Sequence, residues 1–165
     1  LTETAIRQGE GLERKIAGGM YSEGWFVGGK KPGNYPSRDI DVLIPTLGAW
    51  HRVEIKDESN YAESANIVVE TYQGNPRHPS GIMTSESTIC LHYLSESKIV
   101  IYKTNSMRLW LPVSGLVESI FRKADNSNGG YIVPIAKLPA GTWNAVTARN
   151  MLFTCGVWGL PCSQP

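Results

Sequence analysis

The chain has 165 residues, of which 41% are hydrophobic and 19% charged, which suits one domain with one core and excludes a disordered or low-complexity tract. Sixteen basic against fifteen acidic residues leave a net charge of +1, so the protein does not coat nucleic acid by bulk charge, although a local basic groove stays open to it. Cys90, Cys155 and Cys162 lack a CxxC spacing and no apolar run approaches a membrane span or a secretion signal, which excludes a disulfide framework and a zinc site and reads as a soluble, intracellular (cytoplasmic) protein.

Residues 2–17, TETAIRQGEGLERKIA, are predicted helical: Thr2 caps the start, Ala5, Ile6, Leu12 and Ile16 form one stripe, and Gly18-Gly19 end it. GWFVGG (24–29) reads as a short strand and KKPGNYPS (30–37) as a loop. The period then changes to two. RDIDVLI (38–44) sets Ile40, Val42 and Ile44 on one face and Asp39, Asp41 and Leu43 on the other; AWHRVEIKD (49–57) sets Val53 and Ile55 inward and Arg52, Glu54 and Lys56 opposite. Residues 45–48 turn between them, giving a β-hairpin.

ANIVVETY (65–72) is apolar enough at its start for a central strand, GNPRHPSG (74–81) is a loop, and TSES (84–87) a short helix or turn. TICLHYL (88–94), with Cys90 as a buried strand residue, and KIVIYKT (98–104) are two further strands. NSMRLWL (105–111) reads as a short helix. SGLVESIFRKA (114–124) reads as a better one, capped by Ser114 with Leu116, Val117, Ile120 and Phe121 on its apolar side. DNSNGG (125–130) is a predicted loop. YIVPIAKL (131–138) is a strand that Pro134 confines to a sheet edge. The tail from Pro139 reads as irregular, with Trp143, Phe153 and Trp158 packed on the body. The sum is an α/β (α+β) fold with a mixed central sheet flanked by helices. It forms one domain over residues 1–165, with a core of about residues 5–124 and a C-terminal extension over residues 125–165.

The chemistry concentrates in the hairpin. Glu54 and Lys56 are two residues apart and share a strand face, and the turn can bring Asp41 beside them. Two converging carboxylates repel unless a cation lies between them, and Mg²⁺ takes one or two carboxylates together with water and phosphate oxygens. Lys56 would then stand near a scissile phosphate, where it can stabilise developing negative charge, and the Ile55 carbonyl is a further candidate metal ligand. An exposed Glu–Lys pair kept for stability alone would contribute only about 0–1 kcal/mol. There is no G-x-S-x-G, no Cys–His arrangement, no P-loop and no dinucleotide fingerprint.

The stretch RDIDVLIPTLGAWHRVEIK (38–56) resembles the PD-(D/E)XK nuclease superfamily, in its phage-type and resolvase-like members: an Asp, about a dozen residues, then Glu-x-Lys on the neighbouring strand. The helix ahead of it, LERKIAGGMYSEGW, offers Glu13 where archaeal Holliday-junction resolvases carry a glutamate, with Glu10 as its competitor. NIVVETYQGNPRHPSGIMTSES looks like the strand, loop and short helix that follow the lysine in phage-type members. The resemblance spans residues 5–112. It lacks the proline of the family name, since Ile40 precedes Asp41, and this leaves Asp39 as a rival to Asp41.

The resemblance implies a restriction-endonuclease-like core and a Mg²⁺-dependent endonuclease (Mn²⁺ substituting). Asp41, Glu54, Ile55 and Glu13 would hold metal, and Lys56 would stabilise the transition state. Double-stranded DNA is the expected substrate, with Lys30, Lys31, Arg38 and Arg52 as phosphate contacts, a 5′-phosphate product, and room for a homodimer, since cutting two strands needs two sites. A phage protein acting in a bacterial host fits this expectation. Glu70, at the end of NIVVE, is weighed as a carboxylate facing the site across the sheet. The alternatives are an RNA-cleaving relative of the same fold, against which the lack of a histidine before His51 counts, a non-catalytic nucleic-acid-binding module, and a protein-interaction domain.

Overall fold

The computed structural model describes residues 11–12, 14–16, 26–28, 40–44, 49–123, 126–139 and 143–146. Ten strands follow in chain order: β1 (Phe26–Gly28), β2 (Ile40–Ile44), β3 (Ala49–Asp57), β4 (Asn66–Gln73), β5 (His78–Pro79), β6 (Ile89–Ser95), β7 (Lys98–Lys103), β8 (Ser119–Lys123), β9 (Asn126–Pro134) and β10 (Trp143–Val146). An α-helix, α1 (Thr104–Trp110), follows β7, and residues 11–12 and 14–16 are helical.

The strands make two sheets. The larger has the order β1-β2-β3-β6-β7-β10 and the smaller β5-β4-β9-β8. Every pairing is antiparallel except β3 with β6, so the large sheet is mixed and the architecture is α+β. A parallel pair needs a long crossover, most often a helix. Here the crossover, residues 58–88, contains β4 and β5 and 3₁₀ turns at Ser59–Tyr61 and Gly81–Met83. The second sheet therefore covers a face of the first, where the sequence reading expected helices flanking a single central sheet.

Alternation assigns the two faces of the large sheet. Val53, Ile55, Ile89, Leu91, Ile99 and Ile101 share one face and are buried. On this side Lys15 of the N-terminal helical residues bonds Glu96 and lies over the Tyr93 ring, and Ile16 is buried. The opposite face carries Glu54, Lys56, Cys90, His92, Val100 and Tyr102. Its apolar part packs with Ile67, Val69 and Val133 of the small sheet and with Met107 and Leu111 at and after α1, in one core. The two sheets thus enclose the core along most of their length and leave a polar region around Glu54.

The hairpin, the strand at 65–72, both strands from 88 to 104 and the helix before 111 lie where the sequence placed them. The second half differs. Residues 114–123 are not a helix. Ser114 closes the preceding 3₁₀ turn, its hydroxyl donating to the Leu111 carbonyl, and Gly115 adopts φ 73°. Residues 119–123 then pair with β9, from Ser119↔Gly130 to Lys123↔Asn126. Of the expected apolar side, Val117 and Ile120 are exposed, while Leu116 packs partly buried against the core; nothing is described of the Phe121 side chain. The predicted loop 125–130 supplies the first half of β9. That strand is interior, between β4 and β8, and Pro134 is tolerated as its last residue. Residues 143–146 of the tail, expected to be irregular, form β10 against β7. The turn at 45–48, the loop at 30–37, residues 2–10, Phe153 and Trp158 lie outside the described residues.

Two glycines explain how a turn-like stretch becomes a central strand. A Cβ at Gly129 would stand 2.0 Å from the Tyr72 ring, and one at Gly130 would stand 2.0 Å from the Val69 carbonyl oxygen. Both are buried, and they let β4 and the Tyr72 ring close on β9. Gly130→Ala must push the β4 backbone away and is expected to cost about 1–3 kcal/mol or more. Urea unfolding of the variant against the parent checks this.

Candidate active site

A cavity of about 440 Å³ opens between the polar region of the large sheet and β4. Glu54, Lys56, Glu58, Glu70, His92 and Tyr102 all line it. The hairpin delivers the first two. Strand pairing sets Asp41 opposite Arg52, and residues opposite one another share a face, so position 41 lies on the same face as 52, 54 and 56. Position 41 thus shares a sheet face with 54 and 56 by backbone register; nothing is described of the Asp41 side chain. Glu13, Glu10, Asp39, Lys30, Lys31 and Arg38 lie outside the described residues. Ile55 pairs through its backbone position with Leu91, in the centre of the sheet.

Glu54 is 9% exposed. Its Oε1 accepts from Lys56 Nζ at 2.5 Å, while the Lys56 side chain stays about half in water, at 44% exposure. Burying a carboxylate costs several kcal/mol before any partner is found, so this pair is not the loosely held surface pair that stability alone would explain. Arg52, on the same face, pairs with Glu86 at 3.1 Å at an exposed position, where a phosphate can exchange for the carboxylate at little cost.

Behind the pair runs a buried network absent from the sequence reading. Glu58 follows β3 directly, and its Oε1 accepts from the Val68 backbone N–H at 3.0 Å and from His92 Nδ1 at 2.9 Å. His92 Nε2 reaches the Tyr102 hydroxyl at 2.8 Å, with Cys90 Sγ 3.7 Å away. Burial opposes charge on His92, but the Cys90 sulfur and the Glu58 carboxylate outweigh it and raise its pKa to about 9. Burial pushes the Tyr102 phenol well above its ordinary range. At neutral pH the network thus holds an imidazolium and a neutral phenol. A histidine on an apolar strand is more often packed or paired than a ligand, and His92 is both buried and paired. Glu58 was missed because it stands one residue beyond the strand, where alternation no longer reports which way a side chain points.

Glu70, weighed from the sequence as a site-facing carboxylate, does line the cavity. Ser80 Oγ donates to its Oε1 at 2.5 Å and Asn128 Nδ2 to its Oε2 at 3.2 Å. Gly81 makes the Ser80 contact possible: it adopts φ 53°, and a Cβ there would stand 2.4 Å from the Glu70 carbonyl oxygen. Arg108 of α1 fixes this turn from behind by donating to the Ile82 and Ser85 carbonyls.

Among the described residues no three His, Cys, Asp or Glu side chains gather closely enough to hold a metal ion by themselves. Mg²⁺ needs fewer, since it takes one or two carboxylates and keeps several waters. A cavity walled by Glu54, with position 41 on the same face, fits that demand. Among the described residues no helix is long and apolar enough to cross a membrane.

The His92 shift makes stability depend on pH. Its pKa is higher in the folded chain, about 9, than the ordinary 6.5, so folding favours the protonated form. That stabilisation is complete below pH 6.5 and is lost as pH rises through 9. Melting temperature is expected to fall over this window and the fall to be reduced in His92→Gln, as thermal scans across the range would read.

No protein-family model, curated protein or solved structure matches this chain.

Proposed function

We propose that the protein is a metal-dependent endonuclease with a restriction-endonuclease-like core, hydrolysing phosphodiester bonds in DNA. The observation that supports this most is the buried Glu54 paired with a half-exposed Lys56, facing a cavity of about 440 Å³ on the same sheet face as position 41. The neighbouring of an antiparallel run β1-β2-β3 with a parallel strand, β6, on β3 supports this reading.

In this reading Asp41 and Glu54, with the Ile55 carbonyl and Glu13, would hold Mg²⁺ or Mn²⁺. The ion would supply charge neutralisation on the phosphate and a lowered pKa for bound water. Glu54 is oriented by the hydrogen bond from Lys56 Nζ. When a phosphate enters, the Lys56 ammonium would turn toward a non-bridging oxygen, where negative charge grows in the transition state. Water attacks phosphorus in line, the P–O3′ bond breaks, O3′ takes up a proton, and the product carries a 5′-phosphate. Arg52 and the basic residues Lys30, Lys31 and Arg38 would hold the flanking backbone by charge, with binding that weakens as salt rises. A protein cutting both strands would act as a homodimer, and a cytoplasmic phage enzyme is the setting that fits this activity.

The test is cleavage of supercoiled plasmid in Mg²⁺ or Mn²⁺, with and without EDTA, beside Lys56→Ala and Glu54→Gln. Metal-dependent nicking that falls by about 100-fold or more in Lys56→Ala is expected. A structured RNA in parallel reads the RNA-cleaving alternative. Metal binding without cleavage of either substrate would overturn the enzymatic reading in favour of a binding module.

A further inference from the structure

Folding adds a third member to two residues of β6. Cys90 and His92 stand two apart, share one strand face and line the cavity. Cys90 Sγ lies 3.7 Å from His92 Nε2, and the other ring nitrogen, Nδ1, is held by Glu58 Oε1 at 2.9 Å. A thiol, an imidazole against it and a carboxyl group orienting the imidazole is the arrangement that activates a nucleophile. A cysteine kept for packing alone needs no imidazole at its sulfur. His92 carries its proton at neutral pH, so Nε2 presents an N–H to the two groups beside it, Sγ and the Tyr102 hydroxyl.

Cys90 is 6% exposed and stands where the apolar core ends and the cavity begins. The cavity reaches solvent past half-exposed Lys56 and exposed Asp57 and Tyr61, which also line it. A second feature of this cavity calls for a ligand. Glu58 is 7% exposed, and among the described residues its Oε2 has no hydrogen-bond partner. A buried acceptor left unmet is costly, so a ligand that brings an N–H to it is bound favourably. Sγ and the Glu58 carboxyl group are each one contact from the same imidazole ring, close enough for one small molecule to touch both. An anion would meet Glu54, Asp57, Glu58 and Glu70 in the lining, which selects against it.

We propose that Cys90 is a site of covalent capture, its sulfur adding to a small uncharged α,β-unsaturated amide whose N–H is held by Glu58 Oε2. Sγ bonds to the β-carbon as the C=C π bond opens. The electron pair goes to the α-carbon, which takes the proton on His92 Nε2, and the proton that sulfur gives up restores the imidazolium. Nothing is oxidised or reduced and no group leaves. The step uses neither metal nor phosphate and so stands apart from the nuclease reading.

The test is the rate at which the full chain reacts with N-methylacrylamide, with peptide mass mapping to separate Cys90 from Cys155 and Cys162. Cys90 is expected to react at least about tenfold faster in the folded parent than in the same chain unfolded in urea. A cysteine that is merely buried reacts more slowly when folded, and that result overturns the proposal. Methyl acrylate has the same shape and lacks the N–H. Its folded-to-unfolded rate ratio should be lower by about tenfold, the worth of a hydrogen bond to a charged acceptor; equal ratios overturn the proposal. His92→Gln should lose the acceleration, and a folded His92→Gln that reacts like the parent overturns it as well. If His92→Gln does not fold, the two comparisons on the parent carry the test.

Discussion

The parallel pairing of β3 with β6 is the constraint on which the rest of the molecule depends. It sets Glu54 opposite Cys90 and Lys56 opposite His92, on one face of one sheet. A parallel pair cannot be closed by a tight turn, so the chain must leave β3, travel, and return. The travelling segment builds the second sheet. The same requirement that joins β3 to β6 therefore supplies the opposite wall of the cavity, lined by Val68, Val69 and Glu70.

Charge burial follows from this arrangement. A sheet packed on a sheet is dry, and Glu54 and Glu58 are both carried into that layer by the end of β3. Each is tolerated because a cationic partner comes from a fixed place: Lys56 two residues on, and His92 from the parallel neighbour. Removing one partner of such a pair leaves a bare buried charge, which is far more damaging than never having buried the pair. The site is consequently stiff where it is charged, with apolar contacts of the core running up to its edge.

Around the cavity the support comes from backbone approach as much as from side chains. Gly81 brings the Ser80 hydroxyl onto Glu70, Gly130 brings β9 onto β4, and Arg108 ties the turn at 80–85 to α1 through two carbonyls. These contacts join residues far apart in the chain, and each depends on the absence of a side chain or on a single guanidinium. They make the wall that holds Glu70 as defined as the strand that holds Glu54.

By itself, the sequence determined the hairpin, the buried strands and the pairing of Glu54 with Lys56. Alternation with period two is a local property: Val53 and Ile55 must face one way and Glu54 and Lys56 the other, whatever the strand later meets. The apolar runs NIVVE and KIVIY were legible for the same reason, since β-branched residues in such density are stable only when covered on both sides. The second half was not legible. The stretch 114–124 carries apolar side chains at helical spacing, and Asn126–Gly130 carries turn residues, yet Ser119–Lys123 and Asn126–Gly130 are strands, because their hydrogen-bonding partners are each other and β4. The Glu58–His92 pair and the approach of Glu70 belong to the same class. They join residues 34 apart in the chain, or residues on two different sheets, and only the folded sheets bring such groups within reach.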